Sequence, residues 1–318
     1  MMDQAILDFP KQFKYRPKIE GGKLRKYKKF LVCGMGGSAQ PAQVLKSIMP
    51  EADLTVHKDY GIPAGDWKKT LVIAMSYSGY TEETVSSLEE AVSKQMPALA
   101  IATGGRLIDF AKTKGVPYIL IPDIGIQPRC ATGFLLVALL KGLKLNDLLK
   151  QFKGLAQSLR SKDWEQKGKD LAEKLKNSVP VIYASARNFP LAYMWKIKFN
   201  ETGKIPAFYN VFPELNHNEI NGFDVKDVSR QLSQSLYFIF LKDQNDHEKI
   251  KRRMEVTKKL YQDRGLPVEV LEFSGDNALQ KIFSSLVLAD WAAYYTAEGY
   301  GLESEQVPMV EEFKKLIL

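Results

Sequence analysis

The chain has 318 residues, 45% of them hydrophobic, with 45 Lys and Arg against 37 Asp and Glu, a net charge of +8. That size favours two domain cores over one, and apolar stretches such as Phe134 to Leu140 fall well short of the roughly 20 residues a membrane-spanning helix needs. The N-terminus, with Asp3, Asp8 and Pro10, lacks the apolar core of a secretion signal, so a cytoplasmic location is expected, and the two distant cysteines, Cys33 and Cys130, exclude a disulfide scaffold or structural zinc and are expected to be buried thiols.

Residues 1 to 30 hold nine Lys or Arg and three acids, so most of the excess charge belongs to the segment Lys11 to Lys29. No zinc-finger, RRM-like or basic-zipper pattern accompanies it, and it reads as a solvated face near a chain end, with steering of an anionic substrate or a polyanion contact as the alternative. From Phe30 short apolar runs alternate with amphipathic stretches, the pattern of βαβ units around a parallel sheet. Strands are predicted at Phe30–Gly34, Leu54–His57, Leu71–Ser76, Ala98–Ala102 and Tyr118–Ile121, with helices at Gln43–Met49 and Glu82–Lys94. From Ala131 to Lys176 the leucine spacing is helical and strand signals cease. After Pro180 the alternation resumes: strands Val181–Ala184, Leu236–Leu241 and Val268–Phe273, helices Glu248–Asp263 and Ala278–Ala297. The expected fold class is α/β with two domains, 1–153 and 154–318.

In open parallel sheets ligands bind beyond the carboxyl ends of the strands. The first strand runs into Gly34-Met35-Gly36-Gly37-Ser38-Ala39, a loop that lets backbone N–H groups approach an anion. Alone it fits three readings: a sugar-phosphate loop, a dinucleotide GxGxxA fingerprint with Asp59 as the ribose-binding acid, or a structural turn. The third strand ends in Ser76-Tyr77-Ser78-Gly79-Tyr80-Thr81-Glu82-Glu83-Thr84. Helix capping would use one hydroxyl, whereas Ser76, Ser78 and Thr81 with a helix start form a cradle for a phosphate monoester, to which Gly36, Gly37 and Ser38 of the first loop contribute.

The GGS loop followed by SxSGxTxET resembles the sugar isomerase (SIS) domain, which implies two SIS-type lobes, each a parallel sheet flanked by helices, the first five-stranded, with a phosphosugar held by the serine loop. Four further segments, Pro128-Arg129-Cys130-Ala131, Phe199-Asn200-Glu201-Thr202-Gly203-Lys204, Glu214-Leu215-Asn216-His217-Asn218-Glu219-Ile220 and Glu312-Phe313-Lys314-Lys315, extend the likeness over nearly the whole chain. Together they resemble the bacterial and archaeal bifunctional phosphoglucose/phosphomannose isomerases. The resemblance implies aldose–ketose isomerisation of a hexose 6-phosphate without metal or cofactor, in a homodimer that binds neither nucleic acid nor membrane. It assigns Glu201 the proton shuttle between C1 and C2, Arg129 the enediolate charge, and His217, reaching across from the neighbouring subunit, the ring opening. Lys314, or Lys315 beside it, assists ring opening, and Glu214 orients the imidazole. Tyr80 stands where the motif usually carries Asn, and Cys-Ala-Thr follows Arg129 in place of a small apolar run; both bear on pocket shape and thus on acceptance of the mannose epimer. Three scattered histidines cannot build the His/Glu cluster of metal-dependent mannose phosphate isomerases. A catalytically silent phosphosugar sensor is the competing reading, which has no use for Glu201, His217 and Lys314 together; an NAD-dependent enzyme would leave the serine loop idle.

Overall fold

The computed structural model describes Met1 to Ile317; Leu318, the last position of the expected second domain, lies outside the described residues. The chain divides into two compact units, Asp8–Leu159 and Met1–Leu7 together with the residues from Arg160 onward.

Helix α1 (Met2–Asp8) leads into a 3-10 turn, Phe9–Lys14. The unit built on Asp8–Leu159 then contains β1 (Lys29–Cys33), α2 (Gly36–Ile48), β2 (Asp53–His57), β3 (Thr70–Met75), α3 (Glu82–Ser93), β4 (Ala98–Ala102), α4 (Gly105–Lys114), β5 (Tyr118–Leu120), α5 (Thr132–Gly142) and α6 (Asn146–Ser158). Its five strands are all parallel in the order β2-β1-β3-β4-β5. Every residue of β3 is buried, because helices cover both sheet faces and a parallel strand then needs no polar alternation. On one face Leu31, Val72, Ala74, Leu88, Ala100 and Leu107 form the core. The apolar run Phe134–Leu140 lies in α5, which is buried from Thr132 to Leu140 and is therefore a core helix. Among the described residues no helix is long and apolar enough to cross a membrane.

Helix α2 begins at Gly36 instead of Gln43. Two glycines and Pro41 conceal its first turns in the sequence, yet Ala39, Ala42, Val44 and Leu45 are fully buried, and that burial outweighs the weak intrinsic propensity. The basic segment follows the sheet edge: Glu20 pairs antiparallel with Tyr118, and Lys144 Nζ donates to the Leu24 carbonyl at 2.6 Å. Lys14, Arg16, Lys18, Lys23, Arg25, Lys26 and Lys28 are exposed along it.

The other unit carries α7 (Glu165–Lys174), β6 (Val179–Ser185), α8 (Phe189–Glu201), β7 (Phe208–Phe212), β8 (Leu236–Lys242), α9 (Glu248–Gln262), β9 (Val268–Glu272), α10 (Ala278–Gly299) and α11 (Pro308–Ile317). Its four strands are parallel in the order β7-β6-β8-β9. Strand β7 has no counterpart in the sequence reading: it is a sheet edge whose Phe208 and Tyr209 face solvent, bracketed by Pro206 and Pro213, so neither alternation nor a continuous buried run marks it. The core is aromatic, with the Tyr183 ring centroid 5.4 Å from that of Phe240 and 5.6 Å from that of Phe238. Buried indoles find partners, Trp195 Nε1 on Ser285 Oγ at 3.0 Å and Trp291 Nε1 on the Ser161 carbonyl at 2.8 Å, as a buried donor must.

Candidate functional site

At the carboxyl end of the five-stranded sheet, the loops after β1 and β3 meet where the strand order reverses. The Tyr77 backbone N–H donates to Ser38 Oγ at 2.9 Å and so ties the glycine loop to the serine loop. Ser76 Oγ accepts from the Gly79 N–H at 3.0 Å and lies 2.9 Å from the Thr81 hydroxyl; Ser78 Oγ accepts from the Tyr80 N–H at 3.3 Å. Ser38 and Ser76 are buried and shape the loops, Ser78 is exposed and Thr81 half-buried. Thr81 occupies the N-cap position of α3 without making a capping bond, and no side chain caps α2 or α4 either. The starts of α2 and α3 at this sheet end therefore keep N–H groups unspent on side-chain caps, and these donors and the helix dipoles favour a phosphoryl group there.

A third loop, absent from the sequence reading, supports the serine loop. Thr103 donates to the Tyr77 carbonyl through both its backbone N–H and its hydroxyl, each at 2.9 Å, and the Leu107 N–H donates to the Gly79 carbonyl at 2.9 Å. The signal was Ala102-Thr103-Gly104-Gly105, again glycines directly after a strand. Gly36 and Gly37 open α2, and Gly37 lies against the turn Pro128–Cys130: a Cβ there would stand 3.1 Å from the Pro128 carbonyl oxygen and 3.2 Å from Arg129 Cα. Arg129, 4% exposed, thus has its backbone beside the glycine loop. Asp59 follows β2 by two residues, where a ribose-binding acid would sit, but its Oδ1 accepts from the Tyr60 N–H at 2.8 Å. Burial pushes the Cys33 thiol up to about 12 and leaves it inert, whereas Cys130 is half-exposed, not buried as expected, because it closes a surface turn.

In the other unit Glu201 is the last residue of α8 and half-buried. Its turn is fastened on both sides: Lys198 pairs with Asp290 of α10, and Lys204 Nζ donates to the Glu201 carbonyl at 2.6 Å and to the Gln306 carbonyl. His217 ends a 3-10 turn that starts at Glu214, just after the cis Phe212–Pro213 peptide bond. Nearly every neighbour of His217 is anchored. Leu215 is fully buried; Asn216 donates to Thr257 Oγ1 at 2.9 Å and accepts from Arg253 at 3.3 Å; Asn218 caps the Glu219 N–H at 2.6 Å; Glu219 accepts from Tyr183 and Asn210. The imidazole itself is exposed and makes no hydrogen bond among the described residues. Glu214 accepts from Asn218 Nδ2 at 2.8 Å and so braces the segment; no hydrogen bond among the described residues joins it to the imidazole. Lys314 is exposed on α11 and pairs with Glu311 at 2.7 Å, and Lys315 beside it is exposed too. No hydrogen bond or ion pair among the described residues joins Glu201, His217 and Lys314 to one another.

The strand ends of the four-stranded sheet differ in charge from those of the first. Ser185, the last residue of β6, accepts from the Asn188 side chain at 3.2 Å, and the same amide nitrogen lies 3.4 Å from carboxylate oxygens of both Asp243 and Asp246, beyond β8. This crevice presents carboxylates, which repel a phosphate. Burial, with the nearby Asp243 charge, holds the Asp246 carboxyl above its ordinary range. The folded state then holds that proton more tightly than the unfolded chain, and the corresponding stabilisation is lost as pH rises through the raised value. In Asp246→Asn, urea midpoints measured from about pH 4 to about pH 7 are expected to fall less with pH than in the parent; an unchanged slope would assign the titration elsewhere.

Residues 164–317 match the family model of the bacterial phospho-glucose isomerase C-terminal SIS domain. The chain is 32% identical to a bifunctional phosphoglucose/phosphomannose isomerase of Aquifex aeolicus over 92% of its own length and 91% of that protein's, and 35% identical to one of Thermoplasma volcanium over 93% of each. Among solved structures, glucosamine-6-phosphate deaminase of Thermotoga maritima shares the fold at a TM-score of 0.71 with 15% identity, over 96% of this chain and 97% of that one. With full-length likeness at this level, the protein belongs to the bifunctional phosphoglucose/phosphomannose isomerase family.

Proposed function

We propose that the protein interconverts glucose 6-phosphate and fructose 6-phosphate, and mannose 6-phosphate with fructose 6-phosphate at the same site. The observation that carries this reading is the tie between Tyr77 N–H and Ser38 Oγ, which makes one anion cradle of two loops in a chain that resembles such isomerases nearly end to end. The backbone of Gly36 and Gly37, with Ser78 and Thr81 set by Ser38 and Ser76, holds the phosphoryl group. His217 and Lys314 open the sugar ring. Glu201 takes the proton from C2 of the open aldose, giving a cis-enediol whose developing charge Arg129 stabilises, and returns it to C1; the hydroxyl proton moves from O2 to O1 as the carbonyl shifts. Hydrogens and electrons balance within the substrate, so the step needs no external oxidant or cofactor. A segment anchored at Leu215, Asn216, Asn218 and Glu219 while His217 points to solvent suits delivery of the imidazole into a site on a second subunit, which supports a homodimer. Neither Cys33 nor Cys130 is joined in a disulfide, which suits the cytoplasm.

The direct test is a coupled assay with glucose-6-phosphate dehydrogenase on fructose 6-phosphate, repeated after chelator treatment. Turnover unaffected by chelation is the expected result. Phosphosugar binding without turnover would instead identify a silent SIS protein.

A further inference from the structure

A polar side chain is buried where the basic segment begins. Gln12 lies in the 3-10 turn Phe9–Lys14, between Phe9 and Phe13, and is 3% exposed. A buried amide is unfavourable unless both of its ends are bonded. Both are: Nε2 donates to the Cys130 carbonyl at 2.7 Å, and Oε1 accepts from the Phe134 N–H at 3.2 Å. The first partner is the last carbonyl of the Arg129 turn. The second is an early N–H of α5, whose N-cap residue Ala131 offers no side chain to cap it. One planar group from a distant part of the sequence therefore fixes the end of the turn against the start of the helix. From the other side Gly37 packs on the Arg129 backbone, and the Thr132 hydroxyl lies 3.5 Å from Gln40 Oε1 of α2. The turn is gripped between the glycine-loop helix and Gln12.

We infer that Gln12 is a positioning residue for the isomerisation: it sets the backbone of the turn Pro128–Ala131 and through it the placement of the Arg129 guanidinium. This rests on the reading of Arg129 given above. A displacement of about 1 Å at a group that stabilises a transition state can cost on the order of a hundredfold in rate, whereas the phosphate loops keep their own tie between Tyr77 and Ser38, so substrate binding is expected to persist.

The test is a double-mutant cycle in the full-length protein. Gln12→Met keeps the volume and removes both bonds. It is expected to lower kcat about tenfold with KM within about twofold, and to have no further effect in an Arg129→Ala background. Gln12→Glu is the second variant: ionised, it sets a buried charge against the Cys130 carbonyl, whereas protonated, its O–H donates to that carbonyl and its other oxygen accepts from the Phe134 N–H, so kcat relative to the parent at the same pH is expected to recover as pH falls. Equal losses with and without Arg129, or a rise in KM at constant kcat, would overturn the inference. Arg129→Ala at full rate would instead remove the enediolate role of Arg129, on which the inference stands.

Discussion

In Glu201→Gln, kcat for fructose 6-phosphate is expected to fall by about a thousandfold while KM stays within a few-fold of the parent. Gln matches Glu in shape and keeps its capacity to accept a hydrogen bond, but it cannot take a proton from carbon. The phosphate cradle, on other residues, continues to bind. The position of Glu201 separates this chemistry from a structural role. As the last residue of α8 it puts a negative charge at the negative end of a helix dipole, an arrangement unfavourable by about 0.3–1 kcal/mol. The Lys204 ammonium on the Glu201 carbonyl works against that cost, so removing the charge should change the melting temperature little. A variant inactive and also less stable would point to lost structure, and one active at the parental rate would exclude Glu201 as the proton shuttle. Activity lost with stability kept is the pattern of a group retained for function at some expense to the fold.

The two glycine- and hydroxyl-rich loops were legible because they break local rules. Gly34–Ser38 and Ser76–Thr81 interrupt an otherwise regular βαβ text at strand ends, where a parallel sheet binds ligands. Most strands were legible too, since burial on both faces gives continuous apolar runs such as Leu71–Met75. What escaped depends on contacts remote in sequence. The start of α2 reads as loop until the burial of Ala39 and Ala42 is known. Strand β7 is stabilised by pairing with β6, not by its own pattern. Gln12 looks like an ordinary surface residue beside Lys11, and only the fold brings it to Cys130 and Phe134. The same holds for the segment around His217: its sequence identifies the histidine, but only the structure shows Asn216, Asn218 and Glu219 spent on anchoring while the imidazole is presented outward.

Gly79→Ala is expected to destabilise the protein by several kcal/mol, roughly 3–5, and to raise KM for fructose 6-phosphate at least tenfold in whatever fraction folds. Two effects act together. Gly79 has φ +76°, a left-handed conformation that costs a residue with a Cβ about 1–2 kcal/mol. Its Cβ would also stand 1.8 Å from the Gly104 carbonyl oxygen and 2.8 Å from the carbon that bears it. Both are backbone atoms, so no rotamer relieves the overlap and the serine loop must separate from the Thr103–Gly105 loop. That movement stretches the Thr103 bonds to Tyr77, the Leu107 bond to Gly79 and the Gly79 bond to Ser76, each worth about 0.5–1.5 kcal/mol. Gly36→Ala is the control for stability. Gly36 also has positive φ, at +46°, but nothing lies within 4 Å of its added Cβ, so only the conformational term of about 1–2 kcal/mol applies. Urea melts of the two variants decide whether the close approach of the loops matters. Equal destabilisation, with KM unchanged in Gly79→Ala, would mean that the contact between the serine loop and Gly104 does not shape the phosphate site.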